Sequence, residues 1–247
     1  MVDLSIIIVN FNTDDLVRDC IASIKKSVKK VKYEIIVIDN SIDNKGFAKA
    51  NNIGIKKAKG KYILLLNSDT LLKNGAIDVL YNFARSRESD CGVVGPKLLN
   101  KDGSTQDSVF HFPTIYAAIR QYWLKQKNNF GLYVPKTDVP IVVDAIVGAA
   151  FLITPKALKE VGGLDERYFF YFEDVDYCRK VKKARLKVYY LPDAEVIHLK
   201  GASGKNLATE NNQWRRLIPS SKIYHGIVGY YILFIVIWSG QKMRKLY

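Results

Sequence analysis

The sequence predicts an α/β fold, a mostly parallel central sheet flanked by helices, followed by a helical C-terminal tail. Three observations lead there. Short apolar, β-rich runs alternate with segments of helical periodicity from residue 4 to residue 69. Strands separated by helices need crossover connections, and those build parallel sheets. Residues 206–247 then change in kind, with basic residues bracketing one apolar run.

The elements follow in order. Leu4–Val9 is an apolar run closed by Asn10, Phe11 and Asn12, which reads as a buried parallel strand. Thr13 or Asp14 can cap a helix carrying Leu16, Val17, Cys20, Ile21 and Ile24, with lysines at its end to suit the dipole. Tyr33–Ile38 is a second strand, ending at Asp39 and Asn40. A helix over 48–59, stopped by Gly60, leads to a third strand, Tyr62–Leu66. That strand delivers Asn67, Ser68 and Asp69. Further on, 77–87 and 172–185 read as helices, and 93–95, 188–191 and 194–198 as strands. The stretch 142–154 is apolar around Gly148. Residues 100–140 mix aromatics, lysines, Pro113 and Pro135, and predict an irregular, partly mobile region with one helix near 116–127. A Gly/Ser/Lys loop occupies 199–206. The expected division is a domain over 1–205 and a tail over 206–247.

Composition narrows the class. With 48% hydrophobic residues in 247, a full core is available and wholesale disorder is excluded. The net charge of +14 calls for an anionic partner, whether nucleic acid, phosphorylated substrate or acidic membrane. Eight Lys or Arg against one Glu in 200–247 give that stretch +7. No nucleic-acid-binding motif is present, and nucleic-acid binding would leave the carboxylates at successive strand ends unexplained. Cys20, Cys91 and Cys178 are far apart and odd in number, which reads as buried free thiols in a reducing compartment. The N-terminus enters a strand at once, without a basic region or cleavage site, so a cytoplasmic catalytic domain is expected.

Ligands of open α/β sheets bind beyond the C-terminal strand ends. Phe11, Asp39 and Asp69 therefore converge on one crevice. Asp69 can hold a divalent cation against a diphosphate, or simply cap the next segment. Asp39 can accept a hydrogen bond from a pyrimidine, and Phe11 can stack on the base or pack at the rim. Glu173 and Asp174 offer a base beside aromatic walls, or an ordinary acidic first helical turn. His198 can complete an oxygen-rich metal site, or be a lone strand-end histidine.

The ordered set is more specific than any member. Ser5–Asn12 (SIIIVNFN), Ile36–Ser41 (IVIDNS), Asn44–Asn52 (NKGFAKANN) and Leu64–Asp69 (LLLNSD) are followed by Val93–Pro96 (VVGP), Gly148–Leu152 (GAAFL) and Val161–Tyr171 (VGGLDERYFFY). Glu173–Asp176 (EDVD) and Val196–His198 (VIH) complete the series. In this the chain resembles the family 2 inverting glycosyltransferases of the GT-A nucleotide-sugar-binding fold, and among them bacterial rhamnosyltransferases of cell-surface polysaccharide assembly. The resemblance implies that Asn10, Phe11 and Asp39 hold the nucleoside and that Asn51 and Asn52 lie near donor phosphates or ribose, with Ser68 in the same donor site. It implies Asp174 as catalytic base with Glu173 beside it, and Asp69 and His198 as ligands of Mg2+ or Mn2+. Lys200 and Lys205, on the loop that follows, can add positive charge over the donor, or simply belong to a solvated loop. The implied donor is a nucleoside-diphosphate sugar, first dTDP-L-rhamnose, otherwise a UDP- or GDP-sugar; the acceptor is a glycan or lipid-linked glycan. A nucleotidyltransferase would use a similar metal site and release pyrophosphate instead.

Two departures stand out. Only a few residues separate Asp39–Ser41 from Asn44–Gly46, where relatives place a helix and a strand, so a trimmed sheet edge is expected. Thr154 stands where the rhamnosyltransferase subgroup often has arginine.

The tail carries twelve apolar or aromatic residues, Ile227–Trp238, flanked by Arg215, Arg216 and Lys222 on one side and Lys242, Arg244 and Lys245 on the other. A spanning helix needs about 20 residues. The run therefore predicts a helix lying in an anionic membrane interface, or else a homodimer or domain contact. Removing everything from Lys222 onward is expected to spare the chemistry, because the proposed site lies earlier.

Overall fold

A computed structural model of the chain describes residues 1–199, 201 and 213–245, with the side chains of 213–216, 244 and 245 excepted. Lys200 and Lys205 lie outside the described residues.

The N-terminal half alternates as expected: β1 (Leu4–Asn10), α1 (Asp14–Ser27), β2 (Tyr33–Asp39), α2 (Phe47–Lys57), β3 (Tyr62–Asn67), β4 (Thr70–Leu72), α3 (Ala76–Ser86) and β5 (Cys91–Leu99). Then come β6 (Val109–Phe110), α4 (Ile115–Tyr122), β7 (Leu132–Tyr133), β8 (Ile141–Val143), β9 (Ala145–Ile146), β10 (Ala150–Ile153), α5 (Pro155–Val161), α6 (Glu173–Lys183), β11 (Lys187–His198) and α7 (Gln213–Lys245). The main sheet runs β2-β1-β3-β10-β5-β11-β4, with β8 paired to β11. β2, β1 and β3 are mutually parallel, as are β5 and β11; β10, β4 and β8 run against them.

Period-two alternation puts Ile6, Ile8, Leu64, Leu66 and Leu152 on one face, covered by α1 and α3. Ile7, Ile63, Leu65, Phe151 and Ile153 fill the other face, under α2, α5 and α6. Both faces are buried, which explains the continuous apolar runs. α2 packs close to β1: a Cβ on Gly54 would stand 2.5 Å from Ile7 Cγ2.

Several expectations need correction. Gly60 does not stop α2, whose cap is Ala58. It lies over β1, where a Cβ would meet the Ser5 nitrogen at 2.5 Å. Residues 100–140 are not irregular throughout: besides α4 they supply β6 and β7 of a small sheet ordered β7-β6-β9. The apolar stretch 142–154 breaks into pieces of β8, β9 and β10, because Asp144 and Gly148 interrupt it. β11 is one strand; a register shift between Leu191 and Glu195 absorbs Pro192. The trimmed edge is present, with β2 outermost and Asn40–Gly46 crossing directly to α2. Asparagine side chains hold that crossing: Asn40 Oδ1 accepts from Lys45 N at 2.9 Å, and Asn44 Oδ1 from Gly46 N at 3.0 Å. The three cysteines are free and buried, as expected.

The tail is one helical element bent at Gly226 (φ 71°, ψ 163°). Its stretch Leu217–Met243 is long and apolar enough, by length and composition, to cross a membrane. The first arm packs against α6. The second lies along α4, where Trp123 Nε1 donates to the Val236 carbonyl at 3.0 Å.

Leu64 is fully buried at the centre of β3. Leu64→Ala should destabilise the fold by about 2–5 kcal/mol, the cost of a large-to-small core change. Urea unfolding checks this through a lower midpoint at unchanged slope.

Candidate active site

Four strand ends and one helix start meet at a single edge of the sheet. Asn10 closes β1 beside Asp39 at the end of β2. Asn10 Oδ1 accepts from the backbone and hydroxyl of Thr13, both at 3.0 Å, and its Nδ2 donates to Asp14 at 2.8 Å. Thr13 makes no side-chain cap to α1; with its proton on Asn10, its hydroxyl oxygen accepts from Ser68 Oγ at 3.0 Å and ties the end of β1 to that of β3. Asn67 N donates to the Ala149 carbonyl at 2.9 Å, and Gly148 N donates to Asp174 Oδ2 at 2.8 Å. Through these two bonds the start of β10 links the end of β3 to the first turn of α6.

Asp69 and His198 come together from opposite ends of the sequence. Thr70 pairs with His198 across β4 and β11, and Leu199 N donates to the Asp69 carbonyl at 2.8 Å. His198 Nε2 stands 3.4 Å from Asp69 Oδ1, both side chains buried. Gln106 sets the imidazole. Its Nε2 donates to Asn100 Oδ1 at 2.8 Å and to the His198 carbonyl at 3.3 Å, so its Oε1 faces His198 Nδ1 at 2.7 Å. An acceptor there requires the proton on Nδ1. In the neutral ring, Nε2 then presents a lone pair towards a carboxylate oxygen, and a cation between them would satisfy both. Among the described residues no group of three or more His, Cys, Asp or Glu is gathered. The pair supplies two donors, one nitrogen and one oxygen.

The carboxyl pair at α6 is electrostatically unusual. Asp174 accepts from Gly148 N and from Val175 N, both at 2.8 Å. Glu173 is buried, and its Oε2 has no hydrogen-bond partner among the described residues. Burial, and then the neighbouring Asp174, push the Glu173 carboxyl up to about 8. Burial also raises Asp174, against the pull of its backbone donors. Burial and the closeness of the two carboxyls thus both disfavour a second negative charge at the start of α6. The chain reaches α6 through Tyr171 (φ 69°) and Phe172 (φ 70°), left-handed positions that cost side-chain-bearing residues about 1–2 kcal/mol each.

The other predicted positions are less uniform. Phe11 is half-buried at the rim. Asp39 is exposed, and hydrogen bonds from Ser41 hold its carboxyl below the ordinary range. Ser68 is buried. Asn51 is buried and donates to the Phe47 carbonyl at 3.0 Å. Asn52 is placed otherwise than expected. Its amide donates to the Leu164 carbonyl at 2.8 Å and to Glu166 at 3.0 Å, and accepts from Leu164 N, which leaves it no donor for a ligand. It braces the Gly163–Glu166 loop against α2. Thr154 caps α5 and donates to the Cys91 carbonyl at 2.9 Å, at the sheet edge opposite the site. Gln106 and the Gly148 amide were missed as functional groups: Gln106 lies where no periodicity exists, and a backbone donor leaves no side-chain signature.

This arrangement is that of an α/β domain of GT-A type. The model of the family described as glycosyltransferase like family 2 matches residues 3–216, and the chain belongs to that family. It is 31% identical over 148 residues to the N-acetylglucosaminyl-diphospho-decaprenol L-rhamnosyltransferase of Mycobacterium tuberculosis, covering 58% of this chain and 48% of that one. It is 28% identical to rhamnosyltransferase WbbL of Escherichia coli K12, covering 68% and 66%. The chain thus spans about half the length of the first relative and two thirds of the second. A crystal structure of GalNAc-T7 with UDP, GalNAc and Mn2+ shares the fold at TM-score 0.60 and 17% identity, over 80% of this chain and 44% of that one.

The raised Glu173 carboxyl has a thermodynamic sign. A carboxyl whose folded pKa lies above its unfolded value stabilises the fold at low pH, and that contribution is lost as pH rises from about 4.5 to about 8. Glu173→Gln should remove the loss. Its melting temperature relative to the native chain should be higher at pH 8 than at pH 5; an equal difference at both would contradict a buried neutral Glu173.

Proposed function

We propose that the chain is an inverting glycosyltransferase, moving a sugar from a nucleoside-diphosphate donor to a hydroxyl of a glycan or lipid-linked glycan. The observation that carries this is Asp174, a half-buried carboxyl held by two backbone donors and tied through Gly148 and Ala149 to the end of β3, the strand that leads to the Asp69–His198 pair. Asp174 takes the proton of the acceptor hydroxyl as the new bond forms. The acceptor oxygen attacks the anomeric carbon from the face opposite the diphosphate, whose bond to that carbon breaks. Glu173, protonated beside it, keeps a second negative charge away from the base. Asp69 and His198 would hold Mg2+ or Mn2+, which offsets charge on the departing diphosphate. Phe11 and Asp39 line the rim where the nucleoside would sit, with Asn10 shaping that rim. The rhamnosyltransferases among the relatives make dTDP-L-rhamnose the first donor to try, before UDP- and GDP-sugars.

A nucleotide-release screen over these donors is the direct test. With the best donor, Asp174→Asn should lose about 10²–10⁴-fold in kcat while donor binding is kept, and Glu173→Gln should retain most turnover. Excess chelator should abolish release, and His198→Ala should weaken metal-dependent donor binding. A crippled Glu173→Gln beside an active Asp174→Asn would reverse the base assignment. Pyrophosphate as the product would instead indicate nucleotidyl transfer.

We further infer a cytoplasmic enzyme docked peripherally on the inner face of the membrane. Support comes from the second arm of α7, where Ile227, Val228, Tyr231, Ile232, Phe234 and Trp238 are exposed. Lys222 lies over Tyr230 and Tyr231, and Lys242 over Trp238, amines beside apolar rings as at a headgroup layer. Vesicles containing phosphatidylglycerol should sediment the chain, less so at high salt, and Ile232→Glu with Ile235→Glu should release it. If the native chain stays in solution and the double variant instead breaks a cross-linked dimer, the face is a homodimer contact.

A further inference from the structure

The first arm of α7 closes on the approach to α6. We propose that Ser220, Tyr224 and Arg179 are positioning residues for the carboxyl pair: they hold residues 170–172 on the left-handed path that delivers Glu173 and Asp174 to the crevice. The proposal rests on Asp174 being the general base.

Two consecutive left-handed residues with large side chains persist only where their surroundings over-determine them. Here the path is gripped on both sides. From α2, Phe47 N donates to the Phe169 carbonyl at 2.8 Å. From the tail, Ser220 Oγ donates to the Phe170 carbonyl at 2.8 Å. The Phe172 ring lies 5.3 Å from that of Tyr224 and 6.0 Å from that of His225. Tyr224 is buried, and its other face meets α6 itself. The Arg179 guanidinium stands 3.9 Å over the Tyr224 ring and donates to the Tyr224 carbonyl at 3.1 Å. Its second nitrogen bonds Asp176 Oδ1 at 2.5 Å. One tail residue therefore sits between Phe172, just before the carboxyl pair, and Arg179, further along the same helix. Tyr224 also belongs to the core on this face of the sheet, with Phe172 packed against it. Together these contacts fix where α6 begins and which way its first turn faces. A cut before Lys222 removes Tyr224, so it should cost turnover, contrary to the expectation from sequence position alone.

The test combines turnover with backbone exchange in the full chain. With the donor selected by the release screen, Tyr224→Ala should lower kcat about 10–100-fold and change donor KM by less than about threefold, the signature of a misplaced reacting group. Tyr224→Phe keeps the ring and the carbonyl and should restore native kcat. Amides of 170–176 should exchange faster in Tyr224→Ala, while β1 and β3 stay protected. Deleting 227–247 should leave kcat within about twofold, because the contacts that carry the proposal lie before Gly226. Should Tyr224→Ala fail to fold, Ser220→Ala removes one hydroxyl and carries the same comparison, with a smaller loss expected. Native kcat and native exchange in a folded Tyr224→Ala, or in Ser220→Ala if it stands alone, overturn the proposal. So does a fall in kcat matched by equal loss of protection across β1 and β3, which would mean general destabilisation. Native turnover in Asp174→Asn would instead remove the base, a failure of the earlier reading seen without any tail variant.

Discussion

Because β10 runs against β3 and β5, its first residues, not its last, meet the C-terminal edge of the sheet. Gly148 and Ala149 arrive there with free backbone groups. Ala149 accepts from Asn67 and Gly148 donates to Asp174, so one dipeptide joins the strand that supplies Asp69 to the helix that supplies the carboxyl pair. A parallel strand in that place would bring its C-terminal end to the edge and carry its chain onward, and these two bonds would be lost. Gly148 leaves room beside Asp174, whose Oδ2 would stand 3.6 Å from an added Cβ. The reversal lets a helix start, a strand end and a backbone amide share one small volume.

That volume divides its charges by burial. Asp174 keeps two backbone donors; Glu173 has none at Oε2 among the described residues, and burial drives its carboxyl up. The same sequence motif thus yields two chemically different groups. At the other side of the crevice the sign is managed differently. Asp69 is set against a histidine whose far nitrogen faces the Gln106 amide.

Much of this was legible in the residues. Strands closed by polar groups located the edge, because a doubly buried parallel strand has no other place to put Asn10, Asp39 or Asp69. His198 and Asp69 could be matched as a pair only through the family pattern, since 129 positions separate them. What stayed hidden were groups whose role is relational. Asn52 looked like a ligand contact and is a brace, because its partner loop lies over a hundred residues away. Gln106 sits in a stretch without periodicity, where short strands leave too few residues to alternate. Thr13 was read as a helix cap, but two neighbouring side chains outcompete the backbone for its hydroxyl. The tail was weighed by composition, which registers apolarity but not that Tyr224 is wedged between Phe172 and Arg179.

The bend at Gly226 has a geometric consequence. The second arm, residues 227–245, extends about 28 Å at the ordinary helical rise. A single glycine would make a loose joint, but this one is pinned on both sides, by Arg179 and Phe172 before it and by Trp123 after it. The contacts on the two sides of the bend tie the direction of the arm to α4 and α6, and so to the edge of the sheet at which Asp174 stands.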